Sequence, residues 1–231
     1  MPRHRREVSR VEGFSDAVFA FAITLLVVSL EVPKSFHELM ATMRGFLSFA
    51  ICFALLFQVW WRQYRFFRAF DLEDATVIAL TGGMLFVVLF YVYPLKFLWS
   101  VSFASFEGRR IDETVITPAQ MPALFVIYGA GVVAIFSILA LLYRHAYRLR
   151  NQLSLTAEDA LEARMQMYSN LGIALIGAAS ISIALLCQAM APNSVGIAGL
   201  IYFAIGIVEW RLAVYRRRQR NVLSREQMST P

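Results

Sequence analysis

Charge is scarce in this chain. Asp, Glu, Lys and Arg make up 16% of its 231 residues, against roughly 25% in an ordinary soluble domain. The deficit argues against a water-soluble fold. With 58% hydrophobic residues and a mean hydropathy of +0.58, there is more apolar surface than one core can enclose. Cysteine is nearly absent. Cys52 and Cys187 both fall inside apolar blocks, so no disulfide framework is expected and each reads as a small packing residue. The three histidines, His4, His37 and His145, sit in separate segments, none at ligand spacing from a Cys or carboxylate. No Gly-rich phosphate loop occurs. Without a convergent acid, base or metal cluster, an enzyme is not expected. Segments of about ten residues with alternating polarity, the mark of a membrane β-barrel, are also missing.

What the chain does have is long apolar runs. A bilayer core about 30 Å thick is crossed by roughly 20 apolar residues in a helix, and in lipid each backbone polar group must be satisfied within its own segment or a closed barrel. Six runs qualify: Phe14–Val32, Gly45–Trp61, Val77–Trp99, Met121–Tyr143, Tyr168–Ala191 and Val195–Val214. The second is short, and Pro94 sits in the third. The expected fold class is therefore an all-α integral membrane protein with six transmembrane helices. Residues 1–220 are expected to form one six-span transmembrane domain, and 221–231 a short polar tail. Met1–Arg10 is basic and precedes an apolar run, as in a signal peptide. Asp16 interrupts that run, however, and Glu31-Val32-Pro33-Lys34 follows it in place of a small-x-small cleavage site. A retained first span is expected.

Basic residues orient the spans. Of the 22 Lys and Arg, only Lys34, Arg44, Lys96, Arg109 and Arg110 fall in the segments that lie outside when the N-terminus is inside. Loops rich in Lys and Arg stay cytoplasmic, so both termini are expected there. The run Arg216-Arg217-Arg218-Gln219-Arg220 abuts the last span and reads as an anchor for anionic headgroups, with no nucleic-acid partner.

Polar residues inside spans mark function or helix packing. Spans four and five carry small residues, Gly129, Gly131, Gly172, Gly177, Ala178 and Ala179, which suit close helix approach. Span six adds Gly196, Gly199 and Gly206, with Glu209 near its end beside Arg211. Span one differs from these, with Asp16 at one end, Thr24 at mid-depth and Glu31 at the other. Phe21, Thr24, Leu25 and Val28 share one stripe at helical spacing. A lipid-facing helix has no use for a carboxylate in its first turn, so span one is expected to face protein or water. The plainer alternative stays open: Asp16 can simply satisfy backbone N–H groups at a helix start, and an apolar stripe can simply pack.

Arg10-xxx-Phe14-Ser15-Asp16-Ala-Val-Phe-Ala, continued by Thr24-Leu25-Leu26 and Leu30-Glu31-Val-Pro33, resembles the first span of the transmembrane-protein-175 potassium channel family and its RxxxFSD signature. Trp60–Arg68 (WWRQYRFFR), Asp74 and Pro94 follow that family's second and third spans. The resemblance covers about the first hundred residues; beyond them only span count and length agree. It implies a homotetramer of six-span subunits, embedded in the bilayer of the cell membrane. Potassium would be the permeant ion, and no cofactor is needed. The pore would be lined by the first span of each subunit, without a selectivity-filter loop, and no TVGYG occurs here. Phe21, Thr24 or Leu25, and Val28 would point into that pore. Glu31 would stand at the outer mouth, and Arg10, Phe14, Ser15 and Asp16 would clamp the inner end. Two positions depart from the family pattern. Phe21 stands where an aliphatic residue is usual, and Gln63-Tyr64 where two histidines are. A small secondary transporter or proton-coupled carrier using Glu209 and Asp16 is the alternative. It would favour an internal repeat, and residues 1–115 and 116–231 show none.

Overall fold

The computed structural model describes residues 8–28, 34–106, 116–190 and 197–229. Every regular element among them is helical: α1 (Arg10–Val28), α2 (Phe36–Arg44), α3 (Phe46–Ala69), α4 (Ala75–Phe106), α5 (Met121–Arg148), α6 (Ala157–Met190), α7 (Ile197–Leu200) and α8 (Ala204–Ser229). Short 3-10 turns at Pro118–Gln120 and Ile201–Phe203 lead into α5 and α8. Six helices are long and apolar enough to cross a membrane: α1, α3, α4, α5, α6 and the stretch Ala198–Arg217. The six apolar runs thus become six spans, as their length requires.

The helices outrun the hydrophobic blocks, because side-chain caps and turn residues set their ends. Ser9 accepts from the backbone N–H of Glu12 at 3.1 Å, which starts α1 at Arg10, four residues before the apolar run. Asp74 does the same for Val77 at 2.8 Å. Thr156 caps Asp159 at 3.1 Å and returns its hydroxyl to the Asp159 carboxylate at 2.7 Å, so α6 begins eleven residues ahead of Tyr168. Each oxygen satisfies an N–H that the first helical turn leaves unpaired. Pro94 does not break α4, which runs through it; neighbouring groups in transmembrane helices re-satisfy the carbonyl that proline frees.

Two compact units divide the chain, residues 1–115 and 116–231. In the first, α1, α3 and α4 each touch the other two. Phe19, Ala22 and Leu26 of α1, Cys52, Leu56 and Phe66 of α3, and Met84, Val88 and Leu95 of α4 are buried. Ser48 in α3 donates to the Trp99 carbonyl in α4 at 3.2 Å, setting their antiparallel register.

In the second unit α5 and α6 form the main helix pair. The joining turn places Ser154 at φ 49°, a left-handed conformation. Gly129 and Gly177 meet where the two helices cross. A Cβ on Gly129 would lie 2.5 Å from Ile181 Cγ1 and 3.1 Å from the Gly177 carbonyl oxygen, so only hydrogen fits. Gly172 lies close under Val208 of α8 and Gly199 under Phe125, where an added Cβ would come within 3.0 Å and 3.2 Å. Gly206 has open space above it among the described residues, so it makes none of the close approach expected for span six within them. Polar contacts tie α8 to α6. Arg216 Nη1 stands 3.2 Å from Glu162 Oε1, and the Ser169 hydroxyl donates to the Glu209 carboxylate. Cys52 and Cys187 are free thiols.

Candidate functional site

The RxxxFSD segment occupies the first two turns of α1, where the helix passes the far end of α3. Ser15 is buried, and its hydroxyl accepts a hydrogen bond from Gln63 Nε2 at 3.0 Å. One residue on, the Asp16 carboxylate accepts from the Trp60 indole N–H at 2.7 Å. Trp60 and Gln63 are three apart on α3, one turn of one face. Two consecutive residues of α1 therefore meet two successive rungs of α3. Such hydrogen bonds set axial position and rotation together, which apolar packing in lipid does poorly.

The Gln63 amide is the donor to Ser15. Its Oε1 is buried with no partner among the described residues. Around Trp60 the α3 face is aromatic. Ring centroids of Phe57 and Trp60 are 5.2 Å apart, those of Trp60 and Tyr64 5.4 Å and stacked, and the Arg68 guanidinium lies 5.8 Å from the Tyr64 ring centre. This packing holds the indole N–H aimed at Asp16. No sequence periodicity pairs residues 44 and 48 positions apart.

These bonds turn the rest of α1. Glu12, Ser15, Phe19, Ala22 and Leu26 form its buried row, at i, i+3, i+7, i+10 and i+14. Phe21 (56% exposed), Thr24 and Val28 (70% exposed) face away from the unit, and Leu25 is half-buried at their flank. The Thr24 hydroxyl donates to the Ala20 carbonyl at 2.9 Å, so its proton is satisfied within the helix and its lone pairs face outward. Phe14 is 63% exposed and lies seven residues before Phe21, on the outward edge and apart from the Ser15 and Asp16 contacts. Arg10 is exposed at the helix start. Glu31 and the 107–115 segment lie outside the described residues.

A family model described as "Endosomal/lysosomal potassium channel TMEM175" matches residues 10–91, from α1 through α2 and α3 to the first half of α4. A potassium channel of Marivirga tractuosa is 36% identical over 205 residues, covering 86% of this chain and 83% of the relative. The chain belongs to the TMEM175 potassium channel family. A potassium channel of Chamaesiphon minutus is 32% identical over 102 residues, 40% of this chain and 49% of that protein. The crystal structure of a variant of the potassium channel MtTMEM175, in complex with a nanobody fusion, superposes with a TM-score of 0.80 at 33% identity, covering 95% of this chain and 96% of that one. A TMEM175 homologue from Chamaesiphon minutus shares the fold, with a TM-score of 0.56 at 23% identity over 88% and 96% of the two chains. Similarity to TMEM175 proteins thus extends well past the first hundred residues. Among the described residues no three His, Cys, Asp or Glu gather into a metal site.

Proposed function

We propose that this chain assembles as a homotetramer in the cell membrane, termini on the cytoplasmic side, and conducts potassium through a central pore lined by α1. One observation carries the reading. The edge of α1 that its buried row turns outward is the Phe21–Thr24–Val28 edge, and that same helix is pinned in rotation by Ser15–Gln63 and Asp16–Trp60. A helix that meets only lipid needs no such fixed orientation, whereas a pore-lining helix does.

Four copies of Phe21 would form the narrowest ring. Apolar constrictions gate by excluding water and ions when narrow, and K⁺ sheds its hydration more cheaply than Na⁺, so a tight apolar ring prefers K⁺ without a carbonyl cage. Thr24 offers hydroxyl lone pairs one turn beyond, and Val28 closes the lining. Phe14, on the same edge, would add a second aromatic ring near the end where α1 starts. Glu31 carboxylates at the outer mouth would raise the local cation concentration by electrostatic focusing. Ser15 and Asp16 hold the helix and do not touch the ion.

Flux from K⁺-loaded liposomes tests the reading. Phe21→Ala widens the ring, so K⁺ flux rises and K⁺/Na⁺ discrimination falls. Cysteines placed singly at 21, 24 and 28 react with aqueous thiol reagents, and their modification blocks flux. An unchanged flux in Phe21→Ala, or an inert cysteine at all three positions, removes α1 from the pore.

A further inference from the structure

α2 has nine residues, a length of about 13.5 Å at 1.5 Å per residue, too short to span a bilayer. It is a helix in its own right. Ser35 Oγ accepts from the Glu38 N–H at 3.1 Å while Glu38 Oε2 accepts from the Lys34 N–H at 2.7 Å, a reciprocal cap. Its far end has no linker: Gly45 is both the C-cap of α2 and the N-cap of α3. The last residue of α2 therefore sits where a membrane span begins.

Phe36, Leu39, Met40 and Met43 are all exposed. At about 100° per residue they fill an arc of roughly 100° on the helix, while His37 and Glu38 lie outside it. The arc does not stop at the helix end, because Phe46 and Leu47 in the first turn of α3 are exposed too. Exposed apolar residues thus run from α2 onto the start of a membrane-spanning helix.

We propose that α2 lies in the plane of the membrane surface, with Phe36, Leu39, Met40 and Met43 sunk into the boundary between headgroups and acyl chains. A short helix with one apolar face and a polar back settles there with that face about 5–10 Å deep. The occupant of the arc is lipid and not a second copy of the chain, because the apolar residues continue onto a span and the polar back carries His37 and Glu38, side chains suited to water. The inference rests on membrane embedding alone and stands whether or not α1 lines a pore.

Depth-dependent quenching tests it. An environment-sensitive fluorescent amino acid is introduced at Leu39 or at His37 by codon reassignment, with the native cysteines kept, and each protein is reconstituted in liposomes. The probe at Leu39 shows blue-shifted emission and loses more intensity to a nitroxide high on the acyl chain than to one near the bilayer centre. The probe at His37 shows red-shifted emission and loses intensity to aqueous iodide. Iodide quenching at both positions overturns the proposal in favour of a solvated helix. Blue-shifted emission at Leu39 that no lipid nitroxide quenches overturns it in favour of a protein partner.

Discussion

Replacing Gly129 by alanine adds one methyl group at the tightest point of the second unit, and the structure sets its cost. The new Cβ would lie 2.5 Å from Ile181 Cγ1 and 3.1 Å from the Gly177 carbonyl oxygen, whereas ordinary carbon contacts settle at about 3.5–4.0 Å. Cγ1 is close to the Ile181 backbone, and a β-branched residue in a helix has essentially one χ1 rotamer, so the side chain cannot swing clear. The helices must separate locally. Overpacking of this kind costs about 1–3 kcal/mol, and two short contacts, one of them to backbone, place it in the upper half. Alanine recovers about 1 kcal/mol of helix propensity, leaving a net loss of about 1–2 kcal/mol. Gly82, which has open space at its Cβ, is the control: Gly82→Ala keeps the propensity gain and is neutral or stabilising. Reversible unfolding by SDS titration in mixed micelles measures both. In an Ile181→Ala background the Gly129→Ala penalty shrinks, since the first contact is gone. If Gly129→Ala is as stable as Gly82→Ala, or costs the same with and without Ile181, the close crossing of α5 and α6 is wrong.

Ser15→Ala leaves the buried Gln63 amide N–H without its acceptor at 3.0 Å, a loss of about 1–3 kcal/mol. Ser15→Ala with Gln63→Met removes both partners and costs less than the two single losses added, with a coupling near the 0.6 kcal/mol or so typical of transmembrane pairs; strict additivity in SDS unfolding would contradict the bond. Trp60→Phe keeps an aromatic ring between Phe57 and Tyr64 but removes the indole donor to Asp16. Hydrogen exchange over residues 10–20 should speed up while α5 and α6 are unchanged, and an unaltered rate in that segment would show that the Trp60–Asp16 bond does not hold the start of α1.

Much of the fold was legible because the bilayer imposes a length on every apolar run. The six spans follow from that alone; that Phe21, Thr24 and Val28 share a stripe follows from helical geometry, and reading the stripe as a pore edge rests on the family resemblance. The motif on α1 was legible too, as residue types at fixed spacing. Helix ends were harder. The start of α6 at Ala157 depends on the Thr156 cap, a local signal masked by the polar residues Glu162, Arg164 and Gln166 that follow it. α2 was missed because nine residues carry no span, although its Ser35–Glu38 cap pattern was present in the sequence.

Sequence by itself determined that this chain lives in a membrane as six helices, because hydrophobic length and backbone hydrogen bonding in lipid admit few other solutions. It also determined the family, through residues that stand close together along the chain. Only the tertiary structure decided what those residues touch: Gln63 as donor to Ser15, Trp60 to Asp16 and Ser169 to Glu209, and Gly129 but not Gly206 at a helix crossing. Such pairings join residues 40 or more positions apart, and their register is set by how whole helices pack, which no local pattern encodes.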